Sequence, residues 1–176
     1  MTKRLLWILA ATAALVGAQD KQPATNTNVE LTVYLLAGSP QGTADDVPQD
    51  LGPTVKQLHS VFAYKSYRLS ESFILRGRSG NAFTEGILPG NGLHYRFGYR
   101  RLQVSGEAPR AVHLDGLSLN ISKPSVVQDG KQLVYGVASI NTDLDIREGQ
   151  KTVVGKSSVD TTGDALILVI VPKVVE

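Results

Sequence analysis

A chain of 176 residues with 18 basic side chains, 16 acidic ones and no cysteine has no disulfide, thiol nucleophile, thiolate zinc site or iron–sulfur ligation open to it. Its formal net charge of +2 is the contribution of Lys3 and Arg4 alone, so the basic isoelectric point does not indicate nucleic acid as a partner. The remainder is neutral and long enough for one ordinary domain held together by its core.

The first residues, MTKRLLWILAATAALVGAQD, read as an export signal. Lys3 and Arg4 form a positive start, Leu5 to Val16 an apolar stretch too short to span a bilayer comfortably, and Val16-Gly17-Ala18 a small-residue cleavage site. Residues 1–18 are therefore expected to be removed after Ala18, and the style of the signal is bacterial. A periplasmic or secreted location follows, with no membrane span after cleavage. Residues 19–28 are polar and read as a flexible leader. Residues 29–176 are expected to form a single β-rich domain, with a strand–helix–strand part at 29–78 and an all-β part at 79–176.

Val29 to Leu36 alternates and is rich in β-branched residues, which predicts a strand. A loop follows at Gly38–Gln49. Leu51, Val55, Leu58 and Phe62 then fall on one helical stripe, with Asp50 as the expected N-cap and Pro53 in the first turn. One stripe must be covered, so the helix should lie on a sheet. Ser66 to Arg78 alternates again, with Tyr67, Leu69, Phe73 and Leu75 on one face and Arg68 and Arg76 on the other. Strand, helix, strand suggests a crossover and a small parallel pair.

Beyond Gly77 only strands and turns are expected. Ala82–Leu88 leads through Pro89-Gly90-Asn91-Gly92 into His94–Val104, the pattern of a hairpin. Tyr95, Phe97 and Tyr99 share a face, but the apolar positions then move to Leu102 and Val104. The parity therefore flips at Arg100-Arg101, as a bulge or a change of sheet would require. The same flip separates Val112 and Leu114 from Leu117, Leu119 and Ile121 at Asp115-Gly116. Asp129-Gly130 is a turn, Leu133–Ile140 a strand, and Thr142–Arg147 another, with Asp143 and Asp145 on its solvent side. Turns at Glu148-Gly149-Gln150 and Asp160–Asp164 bracket Thr152–Val154. The apolar run Ala165–Val171 reads as a strand covered on both faces and ended by Pro172. The fold class is mainly β within α+β: an antiparallel sandwich or rolled sheet of about nine strands with one amphipathic helix.

The segments Arg147-Glu148-Gly149-Gln150-Lys151-Thr152-Val153-Val154-Gly155 and Ala165–Val175, ALILVIVPKVV, resemble the end of the bacterial secretin family, the ring-forming outer-membrane channels. In that family a long gate and membrane-spanning region separates the two motifs; here only Lys156 to Asp164 does. The resemblance implies a module related to secretins that lacks the pore.

Little in the spacing suggests catalysis. Nothing in the spacing of His59, His94 and His113 predicts a shared site, no nucleophile-elbow motif G-x-S-x-G is present, and no phosphate loop occurs. No catalytic residue, cofactor or metal is expected. A charge asymmetry offers a binding face instead: Lys65–His113 is rich in Arg with interleaved Tyr. Arg68, Arg76, Arg96 and Arg100, with Tyr67, Tyr95 and Tyr99, are the candidate contact residues. The expected function is non-enzymatic, through contact with a protein partner in the cell envelope or through self-assembly. The alternative is a binding module for an anionic glycan or surface polymer.

Overall fold

The computed structural model describes residues 27–78, 80–90, 92–123, 126–128, 131–133, 136–159 and 163–175. The expected signal segment, most of the leader, and the turn residues Asp129-Gly130 and Asp160–Thr162 lie outside the described residues. The strands are β1 (Asn28–Ser39), β2 (Ser66–Gly77), β3 (Ala82–Ile87), β4 (His94–Tyr99), β5 (Arg101–Ser105), β6 (Ala111–Ser122), β7 (Val126–Gln128), β8 (Lys131–Leu133), β9 (Gly136–Arg147), β10 (Thr152–Ser158) and β11 (Ala165–Val175), with helix α1 at Gly52–Val61. Among the described residues, no helix is long and apolar enough to cross a membrane.

Among the described residues the strands make two antiparallel sheets, nine strands in all, and a small β7–β8 hairpin. The four-stranded sheet runs β10-β11-β1-β2, so the last described strand completes the sheet begun by the first. The five-stranded sheet runs β3-β4-β6-β5, with β9 on the far side of β6. Alternate residues of both sheets point inward: Leu31, Val33 and Leu35 of β1 and Leu166, Leu168 and Ile170 of β11 meet Tyr95, Phe97, Leu114, Leu119 and Ile121. Across this interface Phe73 stacks on Tyr95 with ring centres 5.1 Å apart and meets Phe97 edge-on at 5.5 Å, geometries that add to plain area burial.

The helix stripe lies on the outer side of the four-stranded sheet as expected. Leu51, Val55 and Leu58 pack on Leu36, Tyr67, Ile167 and Val169, with Phe62 partly buried beside them. Residues 165–170 of β11 are consequently buried on both faces. Asp50 is not the cap: a short 3-10 turn at Gln49–Leu51 precedes α1, and Leu51 takes the cap position with no side-chain bond. The Asp50 carboxylate faces Tyr34 Oη at 3.4 Å and Lys151 Nζ at 3.6 Å.

Three further expectations need correction. The helical excursion is not a crossover, because β1 and β2 pair antiparallel. The chain returns to the end of β1 it left, where the Lys65 N–H donates to Ser39 O at 2.9 Å. Nor does Pro172 end β11, which runs on to Val175. The Pro172 carbonyl accepts from the Gly149 N–H at 2.8 Å, on the side where β10 has already ended. The missing Pro N–H therefore points to that side and leaves the β1 ladder intact. Finally, β2 is not one alternating strand. Its register against β1 jumps from Leu35↔Glu71 to Leu36↔Leu69, leaving Ser70 as an extra residue. Tyr67 and Leu69 thus face the helix while Phe73 and Leu75 face the inter-sheet core, since one inserted residue inverts every side chain beyond it.

The two expected parity flips are bulges within one sheet. β4 and β5 both pair with β6, one on each half, and the break between them is Arg100. Opposite it, β6 shifts against β9 between Leu114 and Leu117. Gly116 is held there at φ +62, where a side chain would be strained and would meet Arg100 Cβ at 3.0 Å. The β3–β4 hairpin is also as expected, closed by a 2.7 Å bond from the Leu88 N–H to Leu93 O, with Asn91 of the expected turn outside the described residues.

Candidate functional site

The residues singled out in the sequence do not form one face. Tyr67, Tyr95 and Tyr99 are buried core residues, and burial raises the phenol pKa of each. They fill the interior because they occupy inward positions of strands covered on that side, so none is available as a contact residue. The Ser70 bulge places Arg68 and Arg76 on opposite faces of β2. Arg76 forms a 2.8 Å ion pair with Glu30 on neighbouring β1, a cross-strand pair of ordinary kind. Arg96 and Arg100 belong to the other sheet and point away from the core it shares with β2. The four arginines therefore do not make a patch.

What Arg96 and Arg100 do share is the outer face of the five-stranded sheet, which no described element covers. The register places Phe83 and Glu85 of β3 beside Gly98 and Arg96 of β4, and these beside Ser118 and Asn120 of β6. Phe83 and Ile87 are 56% and 58% exposed. Gly98 gives Phe83 its place, because a Cβ there would lie 2.8 Å from Phe83 Cβ. The Arg96 guanidinium sits over the Phe83 ring, 4.4 Å from its centre, within cation–π range. Gly98, Gly116 and Ser118 floor a shallow trough of about 410 Å³ between Arg96 and Arg100. A wider cleft of about 1050 Å³ opens toward His94, Asn120, Ser139 and Ser157.

The same face carries, beyond the bulge, a linked set of polar side chains. His113 lies directly across from Gln103 on β5 and from Asp145 on β9, with Ser105 its diagonal neighbour. His113 Nε2 is 2.7 Å from Ser105 Oγ, and Nδ1 is 2.6 Å from Asp145 Oδ1. The side chains of His113 and Asp145 are 34% and 75% exposed. Arg101 and Asp115, paired with each other at 4.0 Å, border the set. A second His–Asp contact, His59 Nε2 to Asp45 Oδ2 at 3.0 Å, sits at the helix on the other sheet, where Asp45 also accepts the Tyr67 N–H at 2.8 Å. Among the described residues, no three His, Asp or Glu side chains converge as a metal site would need.

Sequence reasoning missed Ser105, His113 and Asp145 as a set. Their spacing has no motif, because strand register rather than chain proximity joins them. The usable signal was the alternation itself: all three are outward positions of alternating strands, and Ser105 and His113 flank the Gly106–Pro109 turn. Compared with protein-family models, with curated proteins and with solved structures, the chain matches none.

Proposed function

We propose that the protein works by contact. In this reading it is an exported bacterial envelope protein, similar to a secretin accessory or assembly module without the pore, and it meets a protein partner through the outer face of the five-stranded sheet. The observation that carries the reading is the exposed Phe83–Arg96 pair with Ile87 beside it, on a sheet face left open by every described element. Aromatic and Arg side chains dominate the energetics of protein interfaces when a partner desolvates them. A photo-reactive residue at position 83 or 87, carried on the protein in the source envelope, should give a discrete cross-linked adduct. The same residue at position 74, exposed on the four-stranded sheet, should give none. Adducts at 74 alone would place the contact on the wrong sheet.

A second reading, recognition of an anionic glycan or surface polymer, is favoured by the glycine-floored trough between Arg96 and Arg100. Under it the Arg96→Gln, Arg100→Gln double variant should lose salt-sensitive retention on an anionic matrix. Unchanged retention would discard it.

A further inference from the structure

The Ser105–His113–Asp145 set points beyond contact. We propose that Ser105 is an activated nucleophile, and that the open face of the five-stranded sheet transfers acyl groups from activated esters. The proposal sets aside the expectation of a chain without catalysis. It is independent of the contact reading, which rests on β3 and β4 rather than on these residues.

The geometry assigns the roles. A serine hydroxyl is a weak nucleophile until a base within hydrogen-bond reach takes its proton, and the base works best when a third group orients it. His113 Nε2 stands 2.7 Å from Ser105 Oγ. Asp145 accepts at 2.6 Å from Nδ1, which fixes the tautomer with its lone pair on Nε2, facing the serine. Both distances are those required of a working triad. Register holds the arrangement: His113 and Asp145 are directly opposed, and Ser105 and His113 are diagonal across a closed hairpin.

The step balances within these residues, the ester and water. Ser105 Oγ bonds to the acyl carbon while its proton passes to His113 Nε2. The ester C–O bond breaks, and the leaving oxygen departs with that proton as an alcohol or phenol. Water then attacks the acyl-serine, gives a proton through His113 back to Ser105, and releases the carboxylic acid. Register puts Gln103 across from His113 on the same face, and its amide is the donor the proposal assigns to the developing oxyanion. The Asp145 side chain is 75% exposed, and an open face excludes water poorly. The substrates that fit are therefore esters with good leaving groups and small acyl parts, rather than amides.

The test uses the full chain with a fluorophosphonate probe, read by intact mass and peptide mapping, and with p-nitrophenyl acetate turnover. A single adduct on Ser105 is expected. Ser105→Ala should abolish it, and His113→Gln should slow it by roughly 10²-fold. Asp145→Asn should slow it less, and thermal melts should show all three variants folded. Absence of an adduct on Ser105 would overturn the proposal, as would labelling at an unchanged rate in folded His113→Gln. So would ester turnover that survives Ser105→Ala but not His113→Gln, since the nucleophile would then be the imidazole.

Discussion

In the four-stranded sheet, β11 buries six consecutive side chains, Ala165 to Ile170, with Leu166, Leu168 and Ile170 against the opposite sheet and Ile167 and Val169 under α1. In the five-stranded sheet, β6 is equally central, flanked by β4 and β5 on one side and β9 on the other. Yet β6 buries only Val112, Leu114, Leu117, Leu119 and Ile121, and turns His113, Ser118 and Asn120 outward. The two strands differ because a helix covers one sheet and no described element covers the other. A strand covered on both faces must be apolar throughout, while one covered on a single face alternates. Alternation is also what leaves room for chemistry: every polar group in the candidate site stands on the uncovered sheet.

The largest test of this contrast is in the core. Ile167→Ala and Leu168→Ala, neighbours on opposite faces of β11 and both fully buried, should each cost about 2–5 kcal/mol. On β6 only one of two neighbours should matter: Leu119→Ala should fall in the same range, and Ser118→Ala within about 0.5 kcal/mol. Denaturant midpoints measure all four. Ile167→Ala behaving like Ser118→Ala would show that α1 does not cover its sheet.

A smaller effect is expected where the two sheets are joined. The Glu148 carboxylate accepts from the Val174 N–H of β11 at 3.1 Å and from the Arg110 N–H at the start of β6 at 3.4 Å. It thus ties the end of one sheet to the other. Glu148→Ala should cost about 1–3 kcal/mol, the range for leaving a buried donor without its acceptor, and Glu148→Gln should cost less. Hydrogen exchange should report the loss at the Val174 amide. Unaltered exchange there in Glu148→Ala would remove this link.

The smallest effect concerns the loop beneath the helix. Burial, the largest single influence on Asp45, pushes its carboxyl up. Hydrogen bonds from His59 and from the Tyr67 N–H, with the charge interaction with His59, together outweigh it and hold the group below the usual carboxylate value. A folded pKa below the unfolded one stabilises the protein above the unfolded value, about 4, and that stabilisation is lost as pH falls through the folded value. The pair is more than one-third exposed on average, so the effect should be modest. Asp45→Asn should be less stable than wild type at neutral pH, and the gap should close in acid. A gap constant from neutral to strongly acid pH would show that the carboxylate charge contributes nothing.

How far the sequence carried the reading depends on whether a feature belongs to one segment or to two. Strands, the helix stripe and both bulges near Arg100 and Gly116 were legible, because each is a pattern of apolar positions along one stretch. The Ser70 bulge was not, since Tyr67, Leu69, Phe73 and Leu75 keep perfect alternation while facing two different cores. That hidden inversion, together with the assignment of β2 and β4 to different sheets, separated four arginines that looked like one patch. Likewise the tyrosines looked like interface residues because composition records their type but not which side of a strand is covered.

The sequence by itself determined local conformation: period-two strands, one amphipathic helix, and turns at glycines such as Gly90 and Gly149, whose φ values are +86 and +76. These follow from sterics and side-chain alternation within a few residues, which every segment carries with it. Only the tertiary structure decided the register. It set Ser105 diagonal to His113, placed Asp145 opposite that histidine from a strand far along the chain, and brought β11 back beside β1. Pairing is chosen by the burial of two distant segments at once, so no stretch read alone contains it.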